Sequence, residues 1–178
     1  MAGLVISHDG THFCAGANLA LILELAKAGD FERLEGVSKT FQEITQAIRY
    51  APFPVVAAPF GMCLGGGYET IGACRKVVAL AELYCGAVEV GVGLIPGAGG
   101  TQRLQRLVGR GRALDLILSG RTIDAAEAHR IGLVDQVVPA DGLAAAVDEY
   151  VSRLRSKSPV ALARAIEAVI SGGEIALD

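Results

Sequence analysis

The chain has 178 residues, enough for one domain that buries about 70 % of the surface its unfolded form would expose. A net charge of −3 leaves no basic footprint for nucleic acid. The longest uncharged stretch, residues 51–68, is broken by Pro52, Pro54, Pro59 and four glycines, which excludes a continuous apolar helix crossing a membrane there.

Residues 3–7 predict a short buried strand, and His8-Asp9-Gly10 a turn. Residues 17–30 follow a helical pattern with Leu19, Ile22, Leu23 and Ala26 on one face. A second helix is expected over residues 31–50, where Leu34, Val37, Phe41, Ile44 and Ile48 recur at steps of three and four. Pro52 and Pro54 stop it. Residues 55–58 predict a buried strand, and Gly65-Gly66-Gly67 joins a loop to a helix running through Cys74. Residues 77–80 predict a third strand, and the glycine-punctuated stretch 86–100 is mostly loop. Helices then fit residues 101–108, 113–118 and 125–131, a last strand 133–138, and two helices 142–154 and 159–170. Strands alternating with helices predict an α/β fold with a mainly parallel sheet and right-handed crossovers. On this reading residues 1–138 form the α/β core and residues 139–178 a helical C-terminal segment.

Apolar residues make up 52 % of the chain, without Trp, a surplus that predicts apolar surface covered by further copies of the chain. Cys14, Cys63, Cys74 and Cys85 form no C-x-x-C pair and read mostly as buried small hydrophobes. No h-region with a cleavage site opens the chain, so a reducing cytoplasm is the expected compartment. Arg103, Arg106, Arg110, Arg112 and Arg121 raise the local basic density. They fit a solvated helix face or, alternatively, a patch for an anionic ligand such as a phosphorylated cofactor.

The chain lacks a G-x-S-x-G elbow, a G-x-x-x-x-G-K-[ST] loop and a pair of histidines at ligand spacing among His8, His12 and His129. Gly97-Ala98-Gly99-Gly100 lacks the spacing of a dinucleotide loop. Two glycine-rich loops remain, each with a carboxylate. In Leu64-Gly65-Gly66-Gly67-Tyr68-Glu69 the glycines let backbone approach a ligand closely, and a helix N-terminus follows whose N–H groups suit developing negative charge. Glu69 lies in the first helical turn, where it equally complements the helix dipole. Glu89 stands alone in a long uncharged stretch; it reads either as a surface carboxylate or as a desolvated one fit for proton transfer. A third element, 13–19 (FCAGANL), runs from a turn into a helix.

Together, F-C-A-G-A-[DN]-L, G-G-G-x-E and V-E-V-G-V-G-L-I-P-G-A-G-G-T-Q-R-L, with Ser119-Gly120-Arg121 and 130–134 (RIGLV) behind them, resemble the enoyl-CoA hydratase/isomerase, or crotonase, superfamily. The resemblance covers almost the whole chain; residues 13–89 are especially similar to the hydratase half of multifunctional 3-hydroxyacyl-CoA dehydrogenases. It implies a crotonase-like fold of ββα units and an acyl-CoA thioester as substrate, with coenzyme A entering only as part of that substrate. No other cofactor, no metal, no nucleic acid and no membrane are expected, and a homo-oligomer is. Ala17 and Gly66 match the positions whose N–H groups form the oxyanion hole on the thioester oxygen. Gly16 and Gly65 are their substrate-binding neighbours. Glu69 and Glu89 match the two catalytic glutamates of hydratases, which orient a water and move the α-proton, and Gly97 matches a glycine beside that water. Isomerases typically use one carboxylate, at the Glu89 position, so the pair points to hydration. The runners-up are an isomerase or other acyl-CoA enolate chemistry, and an inactive scaffold. Val88 and Ala87 depart from the Pro and Gln usual in hydratases. Family members also have a strand, helix and strand ahead of residue 1 and helices beyond residue 178, so the chain resembles a family member shortened at both ends.

Overall fold

The computed structural model describes residues 3–173. In chain order the elements are β1 (Leu4–Ile6), α1 (Leu19–Ala28), α2 (Phe31–Arg49), β2 (Val55–Ala57), β3 (Met62–Leu64), α3 (Gly66–Ala73), β4 (Lys76–Leu80) and β5 (Tyr84–Gly86). A 3₁₀ turn (Glu89–Val92) follows. Then come α4 (Gly100–Val108), α5 (Arg110–Ser119), β6 (Ile123–Asp124), α6 (Ala125–Arg130), β7 (Gln136–Val138), α7 (Leu143–Arg155) and α8 (Pro159–Gly172). Local sequence sets several of the helix starts: Asn18, Asp30, Asp124 and Ser158 each accept a first-turn N–H on the side chain. Pro159 opens α8, where a missing N–H costs nothing.

The main sheet runs β1-β2-β4-β7, every neighbour parallel. A second sheet runs β3-β5-β6, with β3 and β5 parallel and β5 and β6 antiparallel. Successive residues of a strand face opposite sides, and the two larger hydrophobic clusters follow that alternation. Ala57, Val77 and Ala79 face the cluster that holds Tyr68 and Ile71 of α3, Leu104 and Val108 of α4, and Leu116 of α5. Val56, Val78 and Leu80 face Ala146 and Val147 of α7. Both faces of the central strands are thus covered, which is why 55–58 and 77–80 read as continuous apolar runs. The α/β class and the mainly parallel sheet expected from the sequence are present, with the helical C-terminal part following β7.

The differences have local causes. β1 is not buried: Leu4 and Val5 are 45 % and 44 % exposed on the edge strand. Of the stripe expected on α2, Ile48 is buried and Leu34 and Phe41 are partly buried, but Val37 and Ile44 are exposed and Thr45 is buried instead. β3 and β5, three residues each, have no counterpart among the strands expected from the sequence, because runs that short carry no periodicity.

Candidate active site

The loop before α1 is tied to β3 by backbone. Cys14 donates its N–H to the Met62 carbonyl at 2.9 Å and accepts from the Leu64 N–H at 2.9 Å. This lays Gly16 against the end of β3, where a Cβ on it would stand 3.3 Å from the Leu64 carbonyl oxygen. Gly65 follows with φ 52° and ψ −119°, a conformation open to glycine, and its N–H reaches the Gly86 carbonyl at 2.9 Å. Gly16 and Gly65 therefore back onto each other, and Ala17 and Gly66, the next residues of each loop, leave one junction. Gly66 is the first residue of α3, where a helix supplies no acceptor for its N–H. Neither amide is bonded to a backbone carbonyl among the described residues.

Glu69, on the first turn of α3, is 4 % exposed. Its Oε1 accepts the Ala98 N–H at 2.8 Å and the Gly100 N–H at 2.7 Å. Burial pushes its carboxyl up from the usual range, while the N–H groups of Gly100 and Ala98, the nearby Arg103 guanidinium and the Gly97 N–H pull it down. Glu89 opens the 3₁₀ turn and is half-buried. Its Oε1 lies against the Gly65 backbone, 3.3 Å from where a Cβ would stand. Its Oε2 is buried without a hydrogen-bond partner. Burial is again the largest cause raising its pKa; its own N–H opposes this and the Glu69 charge adds to it. The two carboxylates thus share one neighbourhood but differ in support: Glu69 holds two N–H donors and Glu89 has an unmet oxygen.

Gly97 precedes Ala98 in the loop ahead of α4, and its carbonyl accepts from Gln42 Nε2 at 2.7 Å. Between α2 and residues 95–103 lies an open cleft of about 410 Å³, lined by Gln42, Gln46, Ile95, Pro96, Gly97 and Thr101 among others; Glu69 and Glu89 are not on its wall. Gly16, Gly65 and Glu89 thus meet at one junction, with Ala17 and Gly66 the next residue of each loop, while Glu69 reaches from the first turn of α3 to the loop ahead of α4 that carries Gly97.

The enoyl-CoA hydratase/isomerase family model matches residues 1–176. The chain belongs to that family. YngF of Bacillus subtilis (strain 168), which carries the family's name, is 40 % identical over 162 residues, 91 % of this chain and 61 % of its own length. A protein of the same bacterium named for 3-hydroxyacyl-CoA dehydrogenase is 50 % identical over 102 residues, covering 57 % of this chain and 13 % of its own. The crystal structure of an enoyl-CoA hydratase from Bacillus anthracis is 37 % identical with a TM-score of 0.90, covering 98 % of this chain and 66 % of that one. The chain thus spans less than two thirds of the length of each of these.

Within the family framework, sequence reasoning passed over four contributors. Ala98 and Gly100 act through backbone N–H groups, for which glycine-rich composition was the visible sign. Thr45 is fully buried on α2 and donates its hydroxyl to the Ala98 carbonyl at 2.8 Å. Arg103, placed in the sequence with a solvated or ligand-facing basic cluster, is instead 7 % exposed, and its Nη1 donates to the same carbonyl at 2.6 Å. Arg121 of that cluster is taken up by Asp115 and Glu127.

Proposed function

We propose that the chain is an enoyl-CoA hydratase-like lyase that adds water across the double bond of a trans-2-enoyl-CoA. The observation that carries this reading is the pair of neighbouring, unequally supported glutamates at the Gly65 junction. Two backbone donors on Glu69 favour its ionised form, so Glu69 is the base that takes a proton from water as the water oxygen bonds to the β-carbon. Glu89 has a buried, unpartnered oxygen and faces the Glu69 charge, so it holds a proton more readily and delivers it to the α-carbon. The Ala17 and Gly66 N–H groups bind the thioester oxygen as charge develops on it; removing one such donor costs on the order of 10²–10³ in rate. Exchange with solvent then returns Glu69 and Glu89 to their starting protonation.

The test is loss of the conjugated-enone absorbance of crotonyl-CoA. The wild-type chain should turn over, and Glu89→Gln and Glu69→Gln should each lower kcat by about 10²–10⁴. A Glu69→Gln variant that still moves double bonds while Glu89→Gln does not would assign the site to isomerisation. A folded chain with no turnover at saturating substrate would assign it to a scaffold. Coenzyme grip is read from KM, and site assembly from kcat.

A further inference from the structure

The Ala98 carbonyl is held twice from within the protein, by the Thr45 hydroxyl on α2 at 2.8 Å and by Arg103 Nη1 on α4 at 2.6 Å. Both side chains are buried, Thr45 completely. Residue 98 also donates its own N–H to Glu69 Oε1, and the next peptide but one supplies the Gly100 N–H to the same oxygen. The guanidinium lies over Gly99, where a Cβ would come within 2.7 Å of Arg103 Nη1, so this loop keeps its course only with glycine there. Among the described residues, Thr45 and Arg103 bond the Ala98 carbonyl and make no direct hydrogen bond to Glu69.

We propose that Thr45 and Arg103 are positioning residues: by gripping the Ala98 carbonyl, they hold the Ala98 and Gly100 N–H groups on Glu69 Oε1. The proposal rests on the reading of Glu69 as the base. Without the grip, the loop keeps the Gln42 tie at the Gly97 carbonyl, but the Ala98 peptide can rotate and the carboxylate loses the donors that favour its charged form. The charged groups facing Glu69 are Arg103 of α4, which favours its ionisation, and Glu89 of the 3₁₀ turn; α2 brings Arg49, which acts on Arg103. Thr45 carries no charge, so its removal isolates the grip from direct electrostatics.

Thr45→Val keeps the side-chain volume and deletes the hydroxyl. A hydrogen bond to a charged group is worth about an order of magnitude in an equilibrium constant. The variant should therefore show an acid limb of kcat moved to higher pH, with kcat on that limb down about tenfold and KM within about twofold. Thr45→Ser, which returns the hydroxyl, should restore the limb. A merely structural role would lower the melting temperature and leave the limb in place. Titration of the Glu69 side-chain carboxyl by ¹³C NMR, with its signal assigned by Glu69→Gln, reads the same quantity without turnover. A higher Glu69 midpoint in Thr45→Val supports the grip even if no hydration is seen, in which case the hydratase reading alone fails. An unmoved midpoint in folded Thr45→Val, and in Arg103→Lys as the second variant, overturns the proposal.

Discussion

At the scale of single residues, Glu89 shows what the site costs the fold. Burial raises its carboxyl above the ordinary value, and Glu69 is raised for the same first reason. A raised folded pKa means that ionisation opposes folding. The stability is fully present below the unfolded-state value, is lost as pH climbs through the raised folded value, and stays lost above it. Glu89→Gln should therefore unfold at higher denaturant than wild type at pH 7, and the advantage should vanish near pH 4. Urea titrations at the two pH values check this, and an equal difference at both would show that charge is not the cause. Glu89 was legible in the sequence because no other charge stands near it in the chain. Arg103 was not, since it sits in a polar helical stretch and grips a backbone carbonyl, a partner that leaves no side-chain signature. Thr45 was hidden likewise, as a small polar residue between the apolar positions of α2.

At the scale of elements, the site depends on where two loops can touch. Gly65 combines φ 52° with ψ −119°, and a Cβ there would press to 3.3 Å from Glu89 Oε1. Gly65→Ala should cost about 1–3 kcal/mol in thermal unfolding and lower kcat, because relief of the strain moves either the Gly66 N–H or Glu89. Gly36, inside α2 with open space around it, is the contrasting position. Gly36→Ala should stabilise by about 0.5–1 kcal/mol through helix propensity alone and leave turnover unaltered. If both variants shift the melt in the same direction, backbone conformation is not what holds the Gly65 junction. The long helices were readable from periodicity, and the doubly covered strands β2 and β4 from their continuous apolar runs. β3 and β5 were not, because their three-residue length is fixed by pairing with each other, at Cys63 beside Cys85, rather than by local pattern.

At the scale of the whole molecule, the apolar surplus remains outside. Leu19 and Leu23 on α1, Phe31, Val37 and Ile44 on α2, and Val160 and Val169 on α8 are between 46 % and 76 % exposed. Exposed apolar side chains on three helices favour association, so light scattering at micromolar concentration should give a mass above one chain, and a stable monomer would remove the idea. Among the described residues no helix is long and apolar enough to cross a membrane. The family was legible from three motifs in order, and their meeting was expected only through that resemblance; the contacts that make it, the Cys14 ties to β3 and the pairing of β3 with β5, are distant in sequence and leave no local pattern. That meeting is the central claim, and a double-variant cycle on crotonyl-CoA hydration tests it most directly. If Glu69 and Glu89 serve one water, the double Gln variant should lose little more kcat than the worse single variant, since groups acting as a unit are non-additive. Losses that multiply, with each single variant affecting kcat independently, would contradict a shared site.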